Sequence, residues 1–412
     1  MGKVKKNLDA KYGLPGKVIF CKKCVMSNQR PVSTIEFKHT SESKKETLNI
    51  STDGICDACR YAQYKESINW QQREKELLEL LDKYRKNDGN YDCLVPGSGG
   101  KDSAMTAHLL KYKYGMHPLT ITWPPIMYTD YGYQNFKSWI ELGGFDNITF
   151  KPNGNVMRLL TKLSIENLLH PFQTFILGQK NLAPKIAIKY KIPLIFYGEN
   201  EAEYGNPIVD NSSSLRDKSY YTFKNLDEIY FGGVPVKELI SKYKISLTDL
   251  MAYLPVIYTE LEKTKIEVRY LGYYTKWVPQ EAYYFAVEHC GFKARPFRTQ
   301  GTYSKYNSID DKIDDLHYYT TFMKFGIGRA TYDASQEIRN KHLTREEGQA
   351  LVKKFDGEFP DRYFNEVMNY LDMKPEHFLS LCNQFKSPHL WSKTKSGWKL
   401  RHTVNKDGVD DI

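Results

Sequence analysis

The chain has 412 residues, 41% hydrophobic and 26% charged, with no long polar or repetitive tract, which excludes a disordered or fibrous protein and allows one sizeable catalytic domain with smaller elements attached. Lys and Arg number 59 against 49 Asp and Glu, a formal net charge of +10 that suits nucleotides, sugar acids or RNA as partners without marking a site. The first residues are charged, no stretch approaches the ~20 apolar residues of a membrane span, and seven cysteines is an odd number, so a cytoplasmic protein without structural disulfides is expected.

Residues 17–69 are rich in cysteine, turn formers and polar residues and cannot build a core alone. Cys21-Lys22-Lys23-Cys24 and Cys56-Asp57-Ala58-Cys59 are two Cys-x-x-Cys knuckles, a spacing that wraps one tetrahedral Zn²⁺ in a closed structural site. An iron–sulfur cluster or redox pairs are the alternatives. Cys93, Cys290 and Cys382 have no close partner in sequence.

The apolar residues Leu77, Leu78, Leu81 and Tyr84 predict a helix over 70–86, stopped by Asn87-Asp88-Gly89-Asn90, with a domain boundary near 70. Strand and helix then alternate: strands over 91–95, 118–123, 147–151 and 192–197, helices over 102–114 and 156–169. Such alternation predicts an α/β fold with a doubly wound parallel sheet, spanning 70–210, whose ligands bind beyond the carboxyl ends of the strands. Residues 211–400 read as mainly helical and aromatic-rich, and the chain from about Asn405 as polar enough to fray.

Between the first strand and its helix lies Pro96-Gly97-Ser98-Gly99-Gly100-Lys101-Asp102-Ser103. Its glycines let the backbone approach an oxyanion closely, and the following helix offers unpaired amide hydrogens at its positive dipole end. This is neither the Walker loop nor the dinucleotide fingerprint. It resembles the PP-loop of the ATP pyrophosphatases, an adenine nucleotide alpha hydrolase-like superfamily that splits ATP between the α and β phosphates. That resemblance implies phosphate contacts from Ser98, Gly99, Gly100 and Ser103, charge neutralisation by Lys101, metal support or helix capping by Asp102, and an adenine site near Thr122, Trp123 and Gly198. ATP and Mg²⁺ are the implied cofactors.

More segments extend the likeness, among them Thr122-Trp123-Pro124-Pro125, Gly143-Gly144-Phe145-Asp146-Asn147, Gly178-Gln179-Lys180-Asn181-Leu182-Ala183-Pro184, the run from Tyr197 to Gly205, the run from Lys305 to Asp314 and that from Lys324 to Arg329. Together with the knuckles and the loop they resemble the N-acetyl sugar amidotransferase family, which includes pseudaminic and legionaminic acid modifying enzymes and an O-antigen enzyme making acetamidino sugars. The resemblance implies ATP-dependent conversion of an acetamido group to an acetamidino group through an O-adenylyl imidate. It also implies a separate glutaminase subunit and a cyclase-like barrel subunit that supply ammonia, because no cysteine here sits in a glutaminase-like setting.

Glu199 and Glu203, beyond the strand over 192–197, are the acidic candidates for catalysis, and would share a face if a helix began there. Lys305, Asp310, Asp311, Lys312 and Arg329 are candidates for holding a sugar carboxylate or ATP phosphates, and His170 for a base. A PP-loop RNA-modifying enzyme of thiolation or lysidine type is the rival reading, although no dense basic and aromatic run favours nucleic acid. A zinc-bearing scaffold that has lost the reaction is the other rival.

Overall fold

A computed structural model describes residues 8–33, 36–40, 43–206 and 213–405. Its centre is a five-stranded sheet built from β1 (Cys93–Pro96), β2 (Pro118–Thr122), β3 (Asn147–Thr149), β4 (Leu194–Tyr197) and β5 (Glu267–Tyr270). The strand order is β3-β2-β1-β4-β5, and every pairing is parallel. Order reverses beside β1, which places a crevice at the carboxyl end of that strand.

Alternation along each strand feeds two cores. Leu94, Ile121, Ile195 and Val268 turn to one face, against α5 (Gly154–Leu168) and α6 (Gln173–Tyr190). Cys93, Val95, Leu194 and Phe196 turn to the other, where they meet α2 (Trp70–Tyr84), α3 (Lys101–His108) and α7 (Pro279–Cys290). The expected doubly wound sheet is therefore present, and both of its faces are buried.

Strand and helix ends shift by a few residues, as where α3 ends at His108 and β4 starts at Leu194, and three differences have a clear physical origin or consequence. The first strand starts at Cys93 rather than 91, because the Asp92 carboxylate accepts from the backbone amides of Lys86 (2.8 Å) and His117 (3.0 Å) and ties two connecting loops together. The helix α4 (Asp130–Glu141), whose first turn is capped by the Thr129 hydroxyl, was not foreseen. Nor was β5, which brings residues beyond 210 into the sheet. The boundary at 210 and the tail beyond Asn405 lie outside the described residues.

The C-terminal part is mainly helical, with α8 (Asp314–Phe325), α9 (Arg329–Arg339), α10 (Arg345–Phe355), α11 (Asp361–Leu371) and α12 (Pro375–Phe385), followed by a hairpin over 391–400. It packs through Ile313, Leu316, Met323 and Phe325 onto Met157, Ile165 and Phe172 of the α/β part. The cysteine-bearing segment sits between, where Met26 and Leu48 join Ile327 in a small core. No helix among the described residues is long and apolar enough to cross a membrane.

Candidate active site

The loop after β1 turns sharply enough that only Gly99 takes a left-handed conformation, at φ +84°. A Cβ there would stand 2.7 Å from the Phe136 Cα of α4, so the position requires glycine on two counts. Gly97 is needed for space, since its Cβ would strike the Ser103 side chain at 2.2 Å, whereas Gly100 faces open space. Gly100 is also the N-cap of α3 and offers no side-chain cap, so the first-turn amides of the helix remain available to an anion. Gly99→Ala is expected to weaken nucleotide binding by at least about tenfold, as read by titration calorimetry with a non-hydrolysable ATP analogue, and to lower the melting temperature as well, since the strain falls on the folded loop.

Lys101 is buried, and its Nζ donates to both oxygens of Asp102 at 2.8 Å. Asp102 is thus a partner of Lys101 rather than a helix cap. Beyond β4, Glu199 faces Asp102 and accepts from the Tyr204 hydroxyl. Burial and the neighbouring Asp102 push its carboxyl up to about 8, so without a cation it holds a proton near neutral pH. Two oxygen-donor carboxylates at a phosphate loop fit a hard divalent cation.

These groups line a cavity of two lobes. The smaller, of about 310 Å³, is lined by the loop, Tyr306, Asn307, Asp310, Asp333 and Arg339. The larger, of about 700 Å³, runs past Gly97, Ser103 and Gly198 to His170, Lys180, Arg216 and His317. Ser98, Gly100, Asp102, Glu199, Arg329 and Arg30 belong to both lobes. His170 and His317 stack at 5.0 Å with unpartnered Nδ1 atoms, and burial pulls His170 down to about 4. Both imidazoles are neutral there.

Several candidates lie elsewhere. Glu203 did not join Glu199 on a helix face: the segment Glu201–Tyr204 is a 3-10 turn, and Glu203 is buried, accepting from Lys65 Nζ at 2.7 Å. Thr122 is buried with its hydroxyl accepting from Asn147, and Trp123 packs against Gly178, so neither reaches the cavity expected to hold adenine. Lys305 is exposed, and Lys312 pairs with Glu366 at 2.5 Å. Asp311 accepts from the backbone amides of Ile126 and Ile313, which makes it a fastener of the loop. Asp310 does reach the cavity and accepts from Ser98 Oγ at 2.8 Å, while Arg329 reaches it paired with Asp333 at 2.9 Å. Sequence reasoning missed Arg30 and Arg216, and placed Lys180 and Tyr204 in matching runs without giving either a role.

The four cysteines come together as the knuckles require. Cys21, Cys24, Cys56 and Cys59 are buried with all four sulfurs within 4.8 Å of one another, a set that can hold one metal ion.

A parallel sheet whose strand β1 leads through a glycine loop into the N-terminus of α3, with facing carboxylates at the crevice, is an arrangement suited to binding a nucleotide phosphate. Residues 300–405 match the family model described as LPS biosynthesis protein WbpG-like, C-terminal domain. An uncharacterized protein of Methanocaldococcus jannaschii is 37% identical over 83 residues, 20% of this chain, and the match spans only 29% of that relative. Among solved structures, an NH3-dependent NAD synthetase from Campylobacter jejuni is similar over 33% of this chain and 59% of its own, at 16% identity and a TM-score of 0.27. A U34-tRNA thiolase from Methanococcus maripaludis, solved with its [4Fe-4S] cluster, is similar over 78% and 90%, at 14% identity and a TM-score of 0.28.

Proposed function

We propose that the protein is an ATP-dependent amidotransferase that converts an acetamido group of a bacterial surface sugar or nonulosonic acid to an acetamidino group. The observation that carries this reading is that the phosphate loop and the WbpG-like segment enclose one cavity, joined directly by Asp310 on Ser98. One protein thereby offers an ATP-splitting loop and a larger second lobe for the group that receives AMP. The description of the matched family supports lipopolysaccharide biosynthesis as the setting.

In this reaction the acetamido oxygen attacks the α-phosphorus, the α–β bond breaks and pyrophosphate leaves, giving an O-adenylyl imidate. Ammonia then adds to the imidate carbon, the carbon–oxygen bond breaks, AMP departs with the former amide oxygen, and loss of a proton leaves the amidine. The first-turn amides of α3 and Lys101 hold the departing pyrophosphate, charge that develops only as the bond breaks. Asp102 and Glu199 would hold Mg²⁺, which supplies further neutralisation of the phosphates. The neutral His170–His317 pair itself adds no positive charge to the second lobe. A glutaminase subunit and a cyclase-like barrel subunit are the proposed source of that ammonia.

The reading is tested by incubating the full chain with Mg-ATP, ammonium and a panel of acetamido sugar acids and nucleotide sugars, following sugar mass by mass spectrometry. Exchange of oxygen for NH with stoichiometric AMP supports it; AMP formed only with tRNA supports the RNA-modifying rival. None of the seven cysteines lines either lobe, which counts against the thiolation form of that rival and leaves its lysidine form to the assay.

Zinc is the proposed occupant of the four-cysteine site. A Zn–S bond of about 2.3 Å in a tetrahedron separates its sulfurs by roughly 3.8 Å, and the pairs Cys21–Cys59 and Cys24–Cys56 stand 3.9 and 3.7 Å apart. A four-iron cluster binds each cysteine to its own iron and spreads the sulfurs further. Purified protein is expected to carry zinc equimolar with chain by elemental analysis, and Cys56→Ser to lose it and melt about 5 °C or more lower.

Glu199 also sets a pH dependence. Its proton, retained up to about 8, must leave before the carboxylate can ligate a cation. Affinity for Mn²⁺ as a Mg²⁺ surrogate is therefore expected to rise with pH, by up to about tenfold per unit, and to level off above about 8. Calorimetry across that range checks this, and Glu199→Gln is expected to flatten the dependence.

A further inference from the structure

The cations of the two lobes are mostly spoken for. Lys101 is held by Asp102, Lys45 and Lys324 by Glu36, Arg216 by Glu201, and Arg329 by Asp333. Arg30 is different. It lines both lobes yet is only 6% exposed, its Nη1 has no hydrogen-bond acceptor, and no carboxylate pairs with it among the described residues. The guanidinium is held between the rings of Tyr204 and Tyr332, with centroids 5.7 and 5.4 Å away, so its position is fixed by the rings and not by a carboxylate. Lys180, from α6, is a second cation of the larger lobe and forms no ion pair among the described residues.

A buried guanidinium with an unfilled hydrogen-bonding nitrogen and no carboxylate partner is costly to keep unless a ligand supplies the acceptor. We infer that Arg30, with Lys180, is the receptor for an oxyanion, a carboxylate or a phosphate, carried by the acetamido substrate in the larger lobe. Arg30 stands six residues beyond Cys24, and its carbonyl accepts from the Leu48 amide at 2.8 Å inside the core that holds the cysteines. The metal-held segment is thus one wall of the binding site, and the acetamido substrate must be anionic. This rests on the amidotransferase reading.

The test uses the full zinc-bearing chain saturated with Mg²⁺ and the α,β-methylene analogue of ATP, which occupies the phosphate loop. Inorganic phosphate is titrated first. Arg30→Met is expected to weaken its binding at least about tenfold, Arg30→Lys to recover part of it, and Lys180→Met to weaken it further, with affinity for the ATP analogue and melting temperature unchanged. Equal phosphate binding by wild type and Arg30→Met overturns the assignment, as does loss of the ATP analogue in place of phosphate. N-acetylneuraminate, its methyl ester and UDP-N-acetylglucosamine are then compared. Binding of the acid but not the ester places a carboxylate on Arg30, and binding of the nucleotide sugar places a phosphate there, provided Arg30→Met abolishes it. Binding of the ester as tightly as the acid, with no effect of Arg30→Met, overturns the inference. If phosphate depends on Arg30 but no acetamido compound binds, the receptor stands for phosphate, its assignment to an acetamido substrate is overturned, and the amidotransferase reading fails separately.

Discussion

Lys101→Met is expected to lower ATP-dependent AMP formation by about 10²–10³ in kcat, with a much smaller change in KM for the acetamido substrate. The magnitude is that of removing one preorganised donor from a site where charge develops in the transition state, about 3–4 kcal/mol. Two physical losses combine. The departing pyrophosphate loses the cation at the helix N-terminus, and Asp102, whose two oxygens both accept from Lys101 Nζ, is left facing Glu199 without a counter-charge. Lys101→Arg keeps the charge but not the compact fit of a side chain that is 9% exposed, and an intermediate activity is expected. Steady-state assays of AMP release decide the matter; a loss of less than about fivefold in the methionine variant would remove Lys101 from the chemistry.

Glu203→Ala is expected to lower stability, not catalysis. Glu203 and Lys65 are each 3% exposed, and Lys65 Nζ is also held by the Trp277 carbonyl at 2.8 Å. Removing the carboxylate leaves a buried ammonium beside a carbonyl, at a cost of about 3–5 kcal/mol. In a protein of this size that corresponds to a fall in Tm of roughly 3–6 °C. The pair links α1 (Asp57–Lys65), which contains Cys59 and has Cys56 at its N-cap, to the turn after β4, so the metal-held segment is expected to loosen first. Thermal melts and the kcat of the folded fraction measure the two effects apart. Unchanged stability with lost turnover would return Glu203 to the list of catalytic groups.

What the sequence made legible was local. The alternation of Leu94 and Val95 between two cores, the glycines at 97 and 99, and the cysteine spacing each state a backbone or ligand requirement within a few residues. What escaped it depends on distant contacts. The strand β5 is four residues long, alternates Glu267 and Arg269 with Val268 and Tyr270, and becomes a strand only by pairing with β4. Lys305 and Asp310 stand five apart in one run, yet the first is exposed and the second touches Ser98, because the loop is fastened by Asp311 onto the amides of Ile126 and Met127. The neighbours Glu199 and Glu203 parted because the chain makes a 3-10 turn there, with Asn200 capping Ala202, and not the full helix that would align them. Arg30 gave no sequence signal of its own; only the packing of the cysteine segment against Tyr204 and Tyr332 places it at the cavity.

The central claim is that ATP is spent to turn the acetamido oxygen into a leaving group. The measurement that tests it most directly follows heavy oxygen placed in the acetamido carbonyl of a turned-over substrate. If an O-adenylyl imidate forms, the label is recovered in the phosphate of AMP and the sugar product carries none. Label retained in the sugar, or AMP formed without it, would contradict the account.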